Sequence, residues 1–301
     1  MMSGKPKVGF IGQGWIGKNY ADHFEERGFD IVRYAKEVPH DKNAEKVAQC
    51  DIVFIAVPTP TTTQGFSAGI VHSVLAHVGK GKTAVIKSTI LPGMTRSLQE
   101  AYSDITVLFS PEFLREATVR ADVDNPDRNI IGITCPEHRK AAEAVMKILP
   151  RAPHENICTA EEAELVKYAG NTFLYLKVVY MNMLYDFAQT IGSNWETVAE
   201  NITADPRIGT SHMHPVHTSG HAKIPGRGAG GHCFIKDFAA FADLYRKTVS
   251  DAVGHELFAA IERKNIDLLH TSGKDLDLLK EVYSHRAARS HSRINLRAPE
   301  K

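Results

Sequence analysis

The protein has 301 residues, of which 43% are apolar and 24% charged, a composition that is typical of a globular chain of about two domains and excludes disordered, collagen-like and coiled-coil proteins. Its 36 basic and 35 acidic residues leave a formal net charge of +1, which gives no general electrostatic reason to bind nucleic acid or an anionic membrane. No apolar run approaches the roughly 20 residues of a membrane span, and the N-terminus lacks the apolar segment of a secretory signal, so we expect a cytoplasmic protein.

The first half of the chain alternates short runs of β-branched residues with helical stretches. This rhythm is typical of an α/β fold in which crossover helices join parallel strands. It predicts an N-terminal, Rossmann-like, doubly wound domain over residues 1–155. The second crossover must be short, because only sixteen residues separate Tyr34 from Asp51. The predicted strands are 7–11, 30–34, 52–57, 83–87, 106–109 and 129–134.

Three glycines follow the first predicted strand in the sequence GQGWIG and precede a helical stretch. Gly12 allows a tight turn, Gly14 lets the backbone approach a pyrophosphate, and Gly17 lets the helix pack closely on the strand. The helix N-terminus then faces the phosphates. The alternative is a glycine-rich turn that binds no ligand. The residues that we assign to dinucleotide binding here are Gly12, Gln13, Gly14, Trp15, Ile16 and Gly17.

The carboxylate that usually holds the ribose hydroxyls, about 20 positions beyond the glycines, is missing. The second predicted strand ends in Arg33, Tyr34, Ala35 and Lys36 instead. Either Glu37 serves from the following turn, which favours NAD, or Arg33 and Lys36 accept a 2′-phosphate, which favours NADP. NAD is the preferred interpretation, and NADP is left open.

From residue 136 onward the periodicity becomes helical, which predicts an all-helical second domain over residues 156–284 and a basic, solvated tail at 285–301. The segment from 160 to 191 carries apolar residues almost all round, as helices buried on several sides do. In a small domain we expect a second copy to provide the extra cover, so the segment predicts a homodimer built on one long helix. Further helices are predicted at 137–149, 194–201, 236–247 and 250–269, with a last one ending near residue 283.

Cys233 stands between a glycine-rich stretch and the start of a predicted helix, in GRGAGGHCFIKD (226–237). A helix N-terminus and a neighbouring cation favour the thiolate form of a cysteine, which makes Cys233 a candidate nucleophile. Asp237 lies four residues further on, on the same helical face, where it can orient or deprotonate a reacting group. The other three cysteines have no such setting, and we interpret them as core residues. The spacing of the four predicts neither a disulfide framework nor a zinc site.

Lys167 and Asn171 are spaced i, i+4 on the long predicted helix, so their side chains emerge together. An ammonium group beside an amide can stabilise an oxygen that gains negative charge. Lys and Asn on a helix usually face solvent. Their apolar neighbours Leu165, Tyr168 and Phe173 favour burial of the pair.

These motifs together resemble the UDP-glucose/GDP-mannose dehydrogenase family. The resemblance covers roughly residues 7 to 250 and is most specific where SPEFLRE is combined with GGHCFIKD. The matching segments, in family order, are VPTP (57–60), KST (87–89), SPEFLRE (110–116), NPDR (125–128), ELVKYAGN (164–171), DPRIG (205–209) and GAGGHCFIKD (228–237).

The resemblance implies an NAD-dependent, four-electron oxidation of the C6 primary alcohol of a nucleotide sugar, with UDP-glucose the first choice. The alcohol becomes an aldehyde, Cys233 attacks the aldehyde to form a thiohemiacetal, a second hydride transfer gives a thioester, and water releases the acid. Lys167 and Asn171 stabilise the oxyanion, and Asp237 assists proton transfer. Glu112, with Thr89, positions or activates the hydrolytic water.

The resemblance also implies binding residues, and it implies no metal. Arg207 resembles a substrate arginine that the partner subunit supplies. The implied cofactor contacts are Val57, Pro58, Thr59, Thr89, Glu116 and Lys236. The implied substrate contacts are Glu112, Phe113, Leu114, Lys167, Asn171, Arg207, Gly228 and Gly230.

The sequence departs from the family pattern at two places. Ala229 and Ile235 replace the usual Phe and Pro, a change expected to loosen the substrate loop. Only 68 residues follow Cys233, so we expect the family's third, nucleotide-covering domain to be missing. Two alternatives stay open: a two-electron β-hydroxyacid or 6-phosphogluconate-type dehydrogenase, which has no use for Cys233, and a non-catalytic dinucleotide-binding protein.

A histidine-rich segment lies between Arg207 and the glycine-rich stretch. It contains His212, His214, His217 and His221. Such a segment can form a mobile lid over the substrate or bind a metal. We favour the lid, because no carboxylate or cysteine accompanies the histidines.

Overall fold

The computed structural model describes residues 4–115, 118–221 and 224–283. The chain divides into two compact units. The first comprises Met1–Pro60 and Ser67–Lys167, and the second comprises Thr61–Phe66 and Tyr168–Lys301. Among the described residues, no helix combines the length and the apolarity that a bilayer crossing requires.

A seven-stranded sheet forms the centre of the first unit. Its strands are β1 (Val8–Ile11), β2 (Ile31–Tyr34), β3 (Ile52–Ile55), β6 (Thr83–Ile86), β7 (Thr106–Phe109), β8 (Arg128–Ile133) and β9 (His154–Thr159). They lie in the order β2-β1-β3-β6-β7-β8-β9. All neighbours are parallel except β7 and β8, which are antiparallel. The predicted Rossmann-like α/β fold is confirmed.

Helices cover the sheet and bury its apolar strands. The helices are α1 (Trp15–Glu26), α2 (Ala44–Val47), α3 (Gly69–Leu75), α4 (Met94–Ala101), α5 (Val119–Asp124) and α6 (Arg139–Ile148). Phe10 of β1, Phe24 of α1 and Phe54 of β3 pack with ring centroids 5.3–5.5 Å apart. The four-residue α2 confirms the short second crossover, since the residues between β2 and β3 leave room for little more than one helical turn.

Strand β9 was missed by the sequence analysis, which placed the start of the helical region at residue 136. The strand pairs in parallel with β8 over its full length. Its residues are exposed or half-buried and none is fully buried, and the sequence HENICT has no continuous apolar run to identify the strand. The domain boundary predicted at residue 155 falls inside this strand, and the first unit continues to Lys167.

The second unit is mainly helical. Its helices are α7 (Ala160–Thr190), which begins in the first unit, α8 (Trp195–Thr203), α9 (Gly231–Thr248), α10 (Ala252–Ser272) and α11 (Leu276–Tyr283). It also holds two pairs of two-residue strands, β4 (Thr61–Thr62) with β5 (Gly65–Phe66) and β10 (Val216–His217) with β11 (Gly226–Arg227), which the helical periodicity did not predict.

In the second unit, α9 packs against α10 and α11 and also contacts α7. Tyr175 of α7 stacks on Phe238 of α9 with ring centroids 3.9 Å apart. The Asn194 side chain accepts a hydrogen bond from Thr197 N and so caps α8. The stacking of Tyr175 on Phe238 helps to fix α9, the helix that carries Cys233.

Candidate active site

In the first unit, the segments that carry the predicted site residues lie at the carboxyl edge of the sheet. Each of the parallel strands β1, β3, β6 and β7 is followed directly by one of the segments that the sequence analysis selected. Parallel strands place these ends at one edge, where α/β proteins bind their ligands. The segments are 12–17, 56–60, 87–89 and 110–114.

The glycine turn after β1 has the shape that a dinucleotide needs. Gly12 has a φ of +91°, and a Cβ there would lie 2.1 Å from Ala56 O. A Cβ on Gly17 would lie 1.9 Å from Gly12 O. A Cβ on Gly14 would meet no heavy atom within 4 Å. The close contacts explain the first and third glycines, and the open backbone at Gly14, where α1 begins, can receive a pyrophosphate.

The end of β2 shows why Arg33 is poorly suited to a 2′-phosphate. Its guanidinium donates to Asp22 Oδ1 and Glu25 Oε2, both at 2.7 Å. The side chain is only 15% exposed. Because two carboxylates neutralise it, Arg33 presents no unshared charge to a phosphate. Lys36 and Glu37 lie beyond β2 and are exposed.

The turn after β3 is fixed by a serine of the next strand end. Val57 N donates to Ser88 Oγ at 2.8 Å, and Ser88 Oγ donates to Val57 O at 2.7 Å. Pro58 is exposed and Thr59 is buried. Thr89 follows Ser88 and is half-buried. The predicted cofactor residues of both turns thus lie at the same sheet edge as the glycine turn.

Glu112 is buried in the loop after β7. Its Oε1 accepts the backbone N–H groups of Phe113 at 2.8 Å and Leu114 at 3.0 Å. Its Oε2 lies 3.3 Å from Lys87 Nζ. Burial and the neighbouring Glu112 carboxylate raise the pKa of Tyr20 well above its ordinary value. The Glu112 carboxylate therefore fixes the backbone of its own loop and faces the Lys87 ammonium group.

Lys167 reaches the same loop from α7. Its Nζ donates to Glu112 O at 2.5 Å and lies 5.8 Å from the centroid of the Phe113 ring. The residue is half-buried. The apolar neighbours expected to bury it do so only in part, because Leu165 is 48% and Phe173 is 64% exposed.

Glu164, one turn before Lys167, has a structural role that the sequence analysis did not identify. Its carboxylate accepts Gly93 N at 2.6 Å and the N–H and Oγ1–H groups of Thr95 at 2.8 and 2.6 Å. These donors belong to the start of α4. Burial raises the pKa of Glu164 although the three hydrogen bonds oppose the shift. A negative charge at a helix N-terminus stabilises that end of the helix.

In the second unit, Cys233 is the third residue of α9 and is exposed. The other three cysteines differ from it in burial: Cys50 is buried, and Cys135 and Cys158 are half-buried. Burial raises the pKa of the Cys50 thiol to about 11. Of the four, Cys233 alone combines exposure with a helix N-terminus.

Asp237 is the centre of a polar cluster one turn beyond Cys233. The carboxylate is 1% exposed. Asn171 Nδ2 donates to its Oδ2 at 2.6 Å, and Lys236 Nζ lies 2.5 Å from its Oδ1. Burial lowers the pKa of Lys236, but the Asp237 carboxylate and the charge of Cys233 outweigh that effect and raise it. Lys236, predicted as a cofactor contact, thus forms a salt bridge with Asp237.

The glycine-rich segment before Cys233 is well packed. Gly228 has a φ of +93°, and Gly230 lies at the N-cap of α9. The two residues that depart from the family pattern, Ala229 and Ile235, are 0% and 1% exposed. Both are enclosed by neighbouring side chains of the second unit.

The Arg207 side chain pairs with a carboxylate of its own turn. Its Nε and Nη2 donate to the Asp205 carboxylate at 3.0 and 2.6 Å. Its side chain is 87% exposed. Glu116 lies outside the described residues, as does the predicted tail at 285–301.

The histidines of the 212–221 segment have separate surroundings. His212 packs on Phe234, with ring centroids 5.5 Å apart, and His217 pairs with Gly226 across β10 and β11. His221 Nε2 lies 2.6 Å from Asp277 Oδ2. Burial and the nearby Lys274 lower the pKa of His217 to about 4. The described part of the chain contains no group of three or more His, Cys, Asp or Glu side chains placed to hold a metal.

Two protein-family models match the chain. The NAD binding domain of the UDP-glucose/GDP-mannose dehydrogenase family matches residues 33–149, and the central domain of that family matches residues 161–266. The first match begins after the glycine turn, so the geometry of that turn supports the cofactor independently. The match to an NAD binding domain confirms NAD as the expected cofactor.

The chain is also similar to individual proteins. The UDP-glucose 6-dehydrogenase of Rhizobium meliloti is 34% identical over 68% of this chain and 47% of that protein. An uncharacterized protein of Methanocaldococcus jannaschii is 27% identical over 91% of this chain and 34% of that protein. The chain spans about half, or less, of these relatives. A solved UDP-glucose dehydrogenase from Pyrobaculum islandicum has a TM-score of 0.73 at 26% identity, covering 90% of this chain and 72% of that one.

Proposed function

The chain belongs to the UDP-glucose/GDP-mannose dehydrogenase family, and from this premise we propose that it oxidises the C6 primary alcohol of a nucleotide sugar to a carboxylate with two molecules of NAD. The observation that supports this most is the position of Cys233. It is exposed on the first turn of α9 and stands one turn before the Asp237 cluster. A two-electron dehydrogenase has no use for such a thiol.

The reaction runs in three chemical stages. The alcohol loses a proton and a hydride and becomes an aldehyde. The glycine turn would hold NAD, each molecule of which would accept one hydride, so the two oxidations would use two NAD molecules in succession. The Cys233 thiolate then adds to the aldehyde carbon to form a thiohemiacetal, which loses the second hydride and becomes a thioester. Water attacks the thioester carbonyl, the carbon–sulfur bond breaks, and the thiol is regenerated with the free acid.

Each polar residue has a role in this reaction that fits its chemistry. Asn171 and Lys167 donate hydrogen bonds to the oxygen that becomes negative in each stage. Asp237 accepts the alcohol proton when a substrate hydroxyl replaces one of its two donors. Glu112, with Thr89, orients the hydrolytic water. NAD binding rests on the glycine turn and on the turns after β3 and β6.

For the substrate we propose UDP-glucose, because the Rhizobium meliloti relative and the Pyrobaculum islandicum structure are UDP-glucose dehydrogenases. The residues proposed to contact it are Phe113, Leu114, Gly228 and Gly230, together with Arg207 from a partner subunit. Arg207 is exposed on the second unit, where its guanidinium pairs with Asp205 of the same turn.

We also propose that the protein is a homodimer through α7. Phe173, Tyr180 and Phe187 are 64%, 55% and 62% exposed. They are spaced seven residues apart along the helix, so they lie on one face. Three large apolar side chains in one exposed row are typical of an interface between protein chains.

The experiment that tests the function is a panel of UDP-, GDP- and ADP-sugars offered with NAD and with NADP, followed by the absorbance of the reduced cofactor. We expect turnover with at least one nucleotide hexose and NAD. The Cys233→Ser variant is the matched control, since it changes one exposed atom and should lose net acid formation. No turnover with any sugar and either cofactor would contradict the proposal and favour a non-catalytic dinucleotide-binding protein.

A further inference from the structure

The backbone of the glycine-rich segment before Cys233 forms hydrogen bonds with side chains from the end of α10 and from the turn between α10 and α11. Three polar side chains there are almost fully buried: Asn265 at 1%, Lys274 at 1% and Asp275 at 4% exposure. All three contact the backbone of residues 226–231. None of them belongs to the motifs that the sequence analysis selected.

Asp275 fixes the first residue of α9. Its Oδ2 accepts the N–H of Gly231 at 2.7 Å, and its Oδ1 accepts the hydroxyl of Ser219 at 2.9 Å. A Cβ on Gly230 would lie 2.0 Å from the same Oδ2. The carboxylate therefore both caps the helix and requires a glycine at its N-cap. Asp275 itself has a φ of +53°, an uncommon backbone conformation for a non-glycine residue.

Lys274 and Asn265 fix the residues just before that turn. Lys274 Nζ donates to Gly228 O at 3.1 Å, with Gly226 O 3.5 Å away. Asn265 accepts Ala229 N at 2.7 Å and donates to Ala229 O at 3.0 Å. Burial lowers the pKa of Lys274 to about 8, although Asp275 opposes the shift. Burying a lysine against backbone carbonyls costs much of the hydration free energy of its ammonium group. This cost indicates that the contacts serve to hold the glycine-rich backbone in place.

We propose that Asp275 and Lys274 are positioning residues that set the reactivity of Cys233 by fixing the glycine-rich backbone and the first turn of α9. The inference rests on the proposed function in one respect, the use of Cys233 as the nucleophile. The physical reason is that the thiolate form of Cys233 is favoured by the aligned N–H groups of that turn. If the turn frays, this stabilisation is lost although the thiol stays exposed.

The test is the rate at which iodoacetamide alkylates Cys233, measured by peptide mass over a range of pH with no cofactor or sugar present. The half-buried Cys135 of the first unit is the internal reference. We expect Asp275→Ala to slow the alkylation of Cys233 at pH 7 by about ten-fold, because a helix N-terminus favours the thiolate by about that factor. Lys274→Met should slow it several-fold. Cys135 should be unaffected.

Two further variants separate positioning from general stability. Asp275→Asn keeps an oxygen that can accept Gly231 N, so it should restore the rate to within about two-fold of the wild-type value. Asp267→Ala, which removes an exposed carboxylate of α10, is the matched control and should change nothing. Hydrogen exchange of the 226–235 peptide should accelerate in Asp275→Ala and stay normal in Asp275→Asn.

An unchanged Cys233 rate in both Asp275→Ala and Lys274→Met would overturn the proposal. An equal change in the rate at Cys135 would also overturn it, because it would show a general loss of packing. The measurement needs neither NAD nor a nucleotide sugar. The alkylation rates therefore test the positioning roles even if the panel of nucleotide sugars shows no turnover. Failure of the positioning proposal can thus be distinguished from failure of the proposed function.

Discussion

Asn171 of α7 donates to Asp237 of α9 across 2.6 Å, and the carboxylate that it meets is 1% exposed. Lys236 occupies the other carboxylate oxygen. A buried carboxylate needs such donors, because an unpaired one would lose much of its hydration free energy without compensation. The same donors fix the orientation of the carboxylate. The contact between Asn171 and Asp237 therefore both stabilises the second unit and orients the group that we propose as the proton acceptor.

Asn171→Ala should reduce both stability and activity. Loss of one donor to a buried carboxylate is expected to lower the free energy of unfolding by about 1–3 kcal/mol. Loss of an oxyanion donor is expected to lower kcat by about 10²-fold. Denaturant unfolding and steady-state kinetics measure the two effects. Asn201→Ala is the control, since Asn201 is exposed and donates to the carbonyl of Thr197 one turn earlier; an equal loss of kcat there would contradict the role of Asn171.

The carboxylates around Arg33 should determine the choice between NAD and NADP. We expect the wild-type protein to have a higher kcat/KM with NAD, because Asp22 and Glu25 neutralise the guanidinium. The double variant Asp22→Asn, Glu25→Gln frees that charge and should raise kcat/KM for NADP by several-fold. Lys36→Ala should have little effect on either cofactor. A wild-type preference for NADP would show that Arg33 is not neutralised in this way.

Asp122 should contribute to stability only above acidic pH. The Arg115 guanidinium lowers the pKa of Asp122 from its ordinary 3.8 to about 2. A carboxyl whose pKa is lower in the folded than in the unfolded protein stabilises the fold above the unfolded value, and this contribution is lost as pH falls through the folded value. The difference in unfolding free energy between wild type and Asp122→Asn should therefore shrink from about pH 4 to about pH 2. Asp127→Asn, an exposed neighbour, should show no such trend; a constant difference for Asp122→Asn would contradict the role of Arg115.

The exposed face of α7 should control oligomeric state. Tyr180→Glu with Phe187→Glu places two charges in the proposed interface and should convert a dimer into a monomer in sedimentation experiments. Leu257→Glu on α10, also 59% exposed, is the control and should leave the mass unchanged. A wild-type protein that sediments as a monomer at micromolar concentration would contradict the dimer.

The sequence predicted those elements whose signal is local. The sheet strands follow from apolar runs, and Cys233 was selected as a candidate nucleophile because a glycine-rich stretch precedes a predicted helix start, which the structure places at Gly231. Strand β9 was missed, because an edge strand that is half exposed has no apolar run. The contacts of Asp275 and Lys274 with the glycine-rich segment join residues more than 40 positions apart, and no pattern in the sequence TSGKD indicates them.

The candidate site was predicted as a set of residue types but not as a set of contacts. Arg33 was an open candidate for phosphate binding until Asp22 and Glu25 were seen to neutralise it. Lys167 was expected to be buried by its apolar neighbours, and it is instead held by the carbonyl of Glu112. Such partners depend on tertiary packing, which periodicity does not determine.

The stoichiometry of the reaction tests the central claim most directly. Wild-type protein, a limiting amount of nucleotide sugar and an excess of NAD are allowed to react to completion, and reduced cofactor is measured together with the sugar product. We expect two reduced cofactors and one carboxylate for each sugar consumed, because the C6 carbon is oxidised first as the alcohol and again as the thiohemiacetal on Cys233. One reduced cofactor per sugar, with an aldehyde or ketone as the final product, would contradict the claim.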